Sequence, residues 1–169
     1  MKTLVLGLGN PILSDDGVGL HVARTLQSKI NRSEITVMES SMSGLSLLEL
    51  LIGFDRAIII DAIHTREGKA GEIYRLDPSA FDTTHPAAIP HDVSFATAFE
   101  VGNRLGLALP QKITIFAIEV KDMSNFGVEC TPEVECAIPV CLEKVLQELN
   151  KGRICTSSPL PKYSGNSVG

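Results

Sequence analysis

Three side chains of this sequence have the chemistry of a metal site: Asp16, Asp61 and His91. Asp16 lies in Ser14-Asp15-Asp16-Gly17-Val18-Gly19, two adjacent carboxylates at the entrance to a helix. Asp15 alone reads as the helix cap, because a carboxylate there accepts from free backbone N–H groups and sits well against the helix dipole. Both carboxylates cannot fill one cap position, so Asp16 is the one left to turn toward a ligand. Asp61 follows the apolar, β-branched run Ala57-Ile58-Ile59-Ile60, where the chain is expected to leave a sheet, and His91 stands in a polar loop. Two carboxylates and an imidazole suit a divalent transition metal such as nickel or zinc, with coordination positions left for water or substrate. His64 is a weaker alternative imidazole, and His21 and His85 read as structural or exposed.

These residues meet only if the elements that carry them end at one edge. Residues 3–8 are continuously apolar, as expected of a central parallel strand covered on both faces. Val18, Leu20, Val22, Ala23 and Leu26 have helical spacing, ending near Lys29. A strand over Ile35–Met38 follows, then a helix with Ser43 as N-cap and Gly53 as stop. Glu72–Leu76 alternates close behind Gly68 and Gly71 and reads as an antiparallel edge strand. Ser94–Leu107 reads as a helix, Lys112–Val120 as a buried strand and Pro132–Leu149 as the last helix. The order βαβαββαβα predicts an α/β fold, a three-layer αβα sandwich with a mostly parallel, mixed sheet of about five strands. In such sheets ligands bind beyond the carboxyl ends of the strands. Asp16, Asp61 and His91 all fall in that region.

With 44% hydrophobic residues in 169, the chain has enough apolar surface for one domain over residues 1–150, leaving 151–169 as a polar tail expected to be disordered. A net charge of -5 argues against nucleic acid or anionic membranes as partners. The short apolar run at Leu4–Leu6 meets glycine at once, too early for a signal-peptide core or a membrane span, so a cytoplasmic location is expected. Cys130, Cys136, Cys141 and Cys155 lack zinc-finger spacing and receive no function. Gly7-Leu8-Gly9-Asn10-Pro11 invites a dinucleotide reading, with Glu39 as the ribose acid. The fingerprint fails at Ile12, where a third glycine is required, and Pro11 removes a loop N–H.

Beyond these single features, a run of motifs resembles the hydrogenase maturation endopeptidases. They are Gly7 through Gly19, Leu47 through Arg56 leading into Ile58-Ile59-Ile60-Asp61-Ala62, Pro90-His91-Asp92, and Ala117-Ile118-Glu119-Val120. The resemblance covers roughly residues 3–149. It implies an endopeptidase that trims the carboxyl-terminal extension from the large-subunit precursor of a nickel-iron hydrogenase. It also implies that Asp16, Asp61 and His91 bind nickel belonging to the substrate, with zinc or cadmium able to substitute in vitro. The family often carries a glycine-rich substrate loop after the second strand, whereas this chain reads Glu39-Ser40-Ser41-Met42-Ser43-Gly44. Glu119 is either a support for the site or simply satisfied at its strand end.

The chemistry expected is peptide hydrolysis, with a metal polarising the carbonyl or activating water and a neighbouring carboxylate as general base. No Gly-x-Ser-x-Gly elbow or His-Glu-x-x-His helix offers another route. Two alternatives use the same residues differently. A non-catalytic nickel-binding assembly chaperone would hold the metal without cutting. A peptidyl-tRNA hydrolase shares the Gly-Leu-Gly-Asn-Pro opening, but no Thr-Arg-His-Asn segment follows here.

Overall fold

The computed structural model describes residues 1–80, 94–121 and 123–151. Five strands form one sheet: β1 (Thr3–Leu8), β2 (Ile35–Ser40), β3 (Arg56–Ile63), β4 (Ile73–Leu76) and β5 (Lys112–Glu119), in the order β2-β1-β3-β5-β4. The first three and β5 run parallel, and β4 lies antiparallel on the edge beside β5. The helices are α1 (Val18–Lys29), α2 (Ser46–Leu51), α3 (Phe95–Arg104) and α4 (Pro132–Lys151). The αβα sandwich and the antiparallel edge strand match the arrangement expected from the sequence.

Alternation along the strands divides the core. Val5, Ile58, Ile60, Phe116 and Ile118 pack beneath α1 and α4, through Val18, Val22, Leu26, Val134, Cys141 and Val145. Leu4, Leu6, Ala57, Ile59 and Ile115 face α2 and α3, through Leu47, Leu48, Leu51, Phe95 and Ala98. Strands apolar on both sides are what a covered parallel sheet demands.

Several boundaries differ from expectation: β2 runs on to Ser40, and α3 stops at Arg104, short of the expected Leu107. Helix α2 begins at Ser46 without a side-chain cap, and Ser43 does not cap it. Gly44 stands at φ 57° and its carbonyl accepts from Leu47 N–H, so the chain turns left-handed after Ser43 and the helix starts later. The expected stop at Gly53 is present, at φ 84°. Strand β3 also outruns its expected end at Ile60, because β5 continues beside it as far as the Ile63↔Glu119 pair. The polar tail begins after α4, whose last residue Lys151 bonds Glu148, and residues 152–169 lie outside the described residues.

At the amino end of the sheet α4 is pinned by a buried ion pair, Arg56 Nη2 donating to Glu148 Oε1 at 2.7 Å and to the Glu148 carbonyl at 2.9 Å. Burial raises the Glu148 pKa, but hydrogen bonds from Arg75 and Lys151 outweigh it and hold the carboxyl at about 2.

The carboxyl end is shaped by close backbone approach. A Cβ at Gly19 would overlap the carbonyl oxygens of Leu8 and Ile60, so only glycine lets α1 start against both β1 and β3. Overpacking against backbone typically costs about 1–3 kcal/mol. Gly19→Ala should therefore lower the thermal midpoint by several degrees, at about 2–4 °C per kcal/mol for a chain of this size. An unchanged melting curve would show that the contact yields.

Candidate active site

The sheet order places the topological switch point between β1 and β3, since the chain moves from β1 to β2 on one side and then to β3 on the other. Parallel sheets open a crevice there. Strand β1 pairs with β3 only through Gly7↔Ile60, so the next residue of β3, Asp61, stands beyond the last β1 partner. It remains paired to Ala117 of β5, and β3 runs on to Ile63 rather than leaving the sheet at Asp61 as expected. The carboxylate is nevertheless presented at the crevice because the neighbouring strand has already turned away.

That departing segment brings Asp16. After β1 the chain passes Gly9 at φ 146°, where a Cβ would overlap the Asp16 carbonyl oxygen. It then folds into a 3-10 turn over Ser14–Gly17. Asn10 N–H donates to Asp16 Oδ2 at 2.9 Å, and Asn10 Oδ1 accepts from Ile12 N–H at 3.2 Å. The glycines of this loop thus serve tight packing of β1, the turn and α1, in keeping with the failed dinucleotide fingerprint. Glu39, the would-be ribose acid, is held by Arg24 Nε at 2.9 Å.

Asp15 does not cap α1. The N-cap position is Gly17, and Asp15 is fully buried. Its carboxylate accepts from Thr131 N–H at 2.6 Å, Thr131 Oγ1 at 3.0 Å and Lys121 N–H at 3.2 Å. It therefore ties the turn after β1 to the segment between β5 and α4, across more than a hundred residues of sequence. Nothing in the local sequence signalled this, because both donors are distant.

Asp16 and Asp61 are close enough for their charges to interact. Burial, reinforced by the Asp16 charge, pushes the Asp61 carboxyl up to about 7, against the lowering effect of its hydrogen bond from Ala62 N–H at 2.8 Å. Among the described residues no cation lies within ion-pair distance of Asp61. Two neighbouring carboxylates are donors of the kind that suit a hard or borderline divalent cation.

Other sequence candidates fall elsewhere. His91 and His85 lie outside the described residues. His64 Nδ1 donates to the Val120 carbonyl at 3.0 Å, and among the described residues no three His, Cys, Asp or Glu side chains gather as a metal site, so His64 does not complete the pair. His21 Nε2 donates to the Val128 carbonyl at 3.1 Å, a structural role. Glu119 is buried and accepts from Thr65 N–H at 2.6 Å and Thr65 Oγ1 at 3.0 Å, which makes it the clasp of the loop after β3. Burial pushes the thiol of Cys130 up to about 11 and that of Cys141 to about 12, so neither is a thiolate near neutrality.

With this geometry in place, the family model for hydrogenase maturation protease matches residues 20–148, a span that includes Asp61 and His91 and begins just past Asp16. The chain belongs to the hydrogenase maturation protease family. It is 26% identical over 156 residues to the hydrogenase 2 maturation protease of Escherichia coli K12, covering 91% of this chain and 94% of that protein. Among solved structures, the E. coli hydrogenase maturating endopeptidase HybD superposes with a TM-score of 0.77 at 27% identity, covering 90% of this chain and 94% of that one. The NiFe hydrogenase maturation protease HybD of Thermococcus kodakarensis gives 0.62 at 26% identity, covering 88% and 99%. This family member is accordingly a hydrolase, an endopeptidase, and the peptidyl-tRNA hydrolase alternative is set aside. No helix among its described residues is long and apolar enough to cross a membrane.

The raised pKa has a consequence for stability. Because the folded protein binds the Asp61 proton more tightly than the unfolded chain, this residue favours folding below its unfolded value of 3.8, and the benefit is lost as pH rises through about 7. In metal-free protein at pH 8, Asp61→Asn should melt several degrees above the parent, at about 2–4 °C per kcal/mol for a chain of this size. The gain should vanish near pH 4. Equal shifts at both pH values would contradict the part-buried, charge-repelled carboxylate.

Proposed function

We propose that this endopeptidase removes the carboxyl-terminal extension of a nickel-iron hydrogenase large-subunit precursor in the cytoplasm, after nickel has been inserted, by engaging the substrate-borne metal through Asp16, Asp61 and His91. The observation that carries the reading is the convergence of Asp16 and Asp61 at the switch point between β1 and β3, in a fold shared with hydrogenase maturation proteases. His91 stands four residues before α3, and that helix packs on the sheet face of Ala57 and Ile59, toward which alternation along β3 also directs Asp61.

The division of labour follows from the residues. Nickel supplies Lewis acidity toward the scissile carbonyl when the substrate brings it. Asp16 and Asp61 supply oxygen ligands, and His91 supplies a neutral nitrogen. The repulsion between Asp16 and Asp61 favours a partner that carries positive charge. This site is an open half of a coordination shell, suited to metal arriving on another protein. Zinc or cadmium would occupy it in vitro by the same donor chemistry.

Mixing the full chain with nickel-loaded large-subunit precursor and following both proteins by mass spectrometry tests this directly. Loss of a carboxyl-terminal peptide is expected with the parent protein. Asp61→Ala and His91→Ala should lower the cleavage rate by at least about a hundredfold, in line with loss of an essential electrostatic group. Binding of the precursor without release of a peptide would instead identify a nickel-binding assembly chaperone.

A further inference from the structure

The segment that Asp15 draws toward the site carries apolar side chains in solvent. Phe126 is 84% exposed, Val128 67% and Ile12 53%. They form one strip. Leu13 and Gly127 make a parallel bridge, with Gly127 N–H donating to the Ile12 carbonyl at 3.0 Å and Ser14 N–H to the Gly127 carbonyl at 2.8 Å. That register sets Ile12 beside Phe126 and Ser14 beside Val128. Ser14 Oγ donates to the Glu129 carbonyl at 3.0 Å, and His21 secures the Val128 carbonyl. The backbone is therefore fixed while its apolar side chains are not packed.

A phenylalanine displayed this way is unfavourable for an isolated protein, and contiguous apolar surface beside a site marks a place of contact. Neither Gly7–Ser14 nor Met123–Val128 contains a charged residue, although 21% of the chain is charged. The occupant must therefore offer an apolar, uncharged face. It must also reach Asp16, whose carboxylate is bonded to Asn10 at the start of the same loop. Any protein that brings a metal to Asp16 has to lie over or beside the Asn10–Ser14 segment and the strip paired to it.

We infer that Ile12, Phe126 and Val128 form the docking surface for the hydrogenase large-subunit precursor, gripping an apolar patch of that protein next to its nickel. This rests on the reading given under Proposed function and adds to it the surface that recognises the folded substrate. The metal ligands read whether nickel is present, and the strip reads which protein carries it. Because the strip is held rigid before contact, docking loses little backbone freedom.

Binding and cleavage of nickel-loaded precursor should be measured side by side for the full chain and for Phe126→Ser and Ile12→Ser, with nickel ion alone as a probe of the metal site. Exposed aromatic anchors of this kind are worth about tenfold or more in affinity. Each variant is expected to raise the Kd for precursor and the KM for cleavage by at least about that factor. The turnover number at saturation, nickel-ion affinity and melting temperature should stay unchanged. Unaltered KM and Kd with normal cleavage would overturn the docking surface while leaving the protease reading intact. Precursor binding that depends on Phe126 without cleavage would keep the docking surface and reject the protease reading. A parent protein that self-associates through Phe126, with precursor binding unaffected by either variant, would reassign the strip to a second copy of the chain and overturn the proposal.

Discussion

The site depends on a backbone contact that tolerates no side chain. Where α1 meets the ends of β1 and β3, Gly19 lies against the carbonyls of Leu8 and Ile60, and Gly7 lies against the Gly19 carbonyl. This closeness makes the β1–α1 connection turn back over the strand ends rather than project into solvent. Asp16 is thereby delivered beside Asp61, across the one point in the sheet where successive connections diverge. A β-carbon at Gly19 would push the helix away and separate the carboxylates before any chemistry could be considered.

A second tie acts on the first. Buried Asp15 satisfies its carboxylate with donors from Thr131 and Lys121, and this draws the segment after β5 against the turn that carries Asp16. Adjacent aspartates have opposite duties: one is buried and fully hydrogen-bonded, and the other borders the crevice. Glu119 performs a similar service for the loop after β3 through Thr65. The opposite end of the sheet is closed by the Arg56–Glu148 pair. These ties thus hold in place a pair of carboxylates whose own interaction is repulsive.

Much of this fold was legible in the sequence because its signals are local. Unbroken apolar runs gave β1 and β5, helical spacing gave α1, and the glycines before Ile73 announced the antiparallel edge strand. Features set by distant partners were not legible. The extent of β3 depends on β5 running beside it, so Asp61 proved to be inside the strand. Asp15 looked like a cap because its true partners are in a segment remote in sequence. Ser43 looked like a cap because nothing in its own identity reveals the left-handed Gly44 that follows. Asp16 lies near enough to Asp61 for their charges to interact, because the turn after β1 folds back over the strand ends, while His91 lies outside the described residues.

The proposed half-site of Asp16, Asp61 and His91 is most directly tested by the X-ray absorption spectrum of nickel ion added to the full chain, recorded with and without His91→Ala. An oxygen-rich shell containing one imidazole is expected, with the imidazole signal lost in the variant and the shell depleted again in Asp61→Ala. A sulfur-containing shell, or a spectrum indifferent to both substitutions, would contradict it.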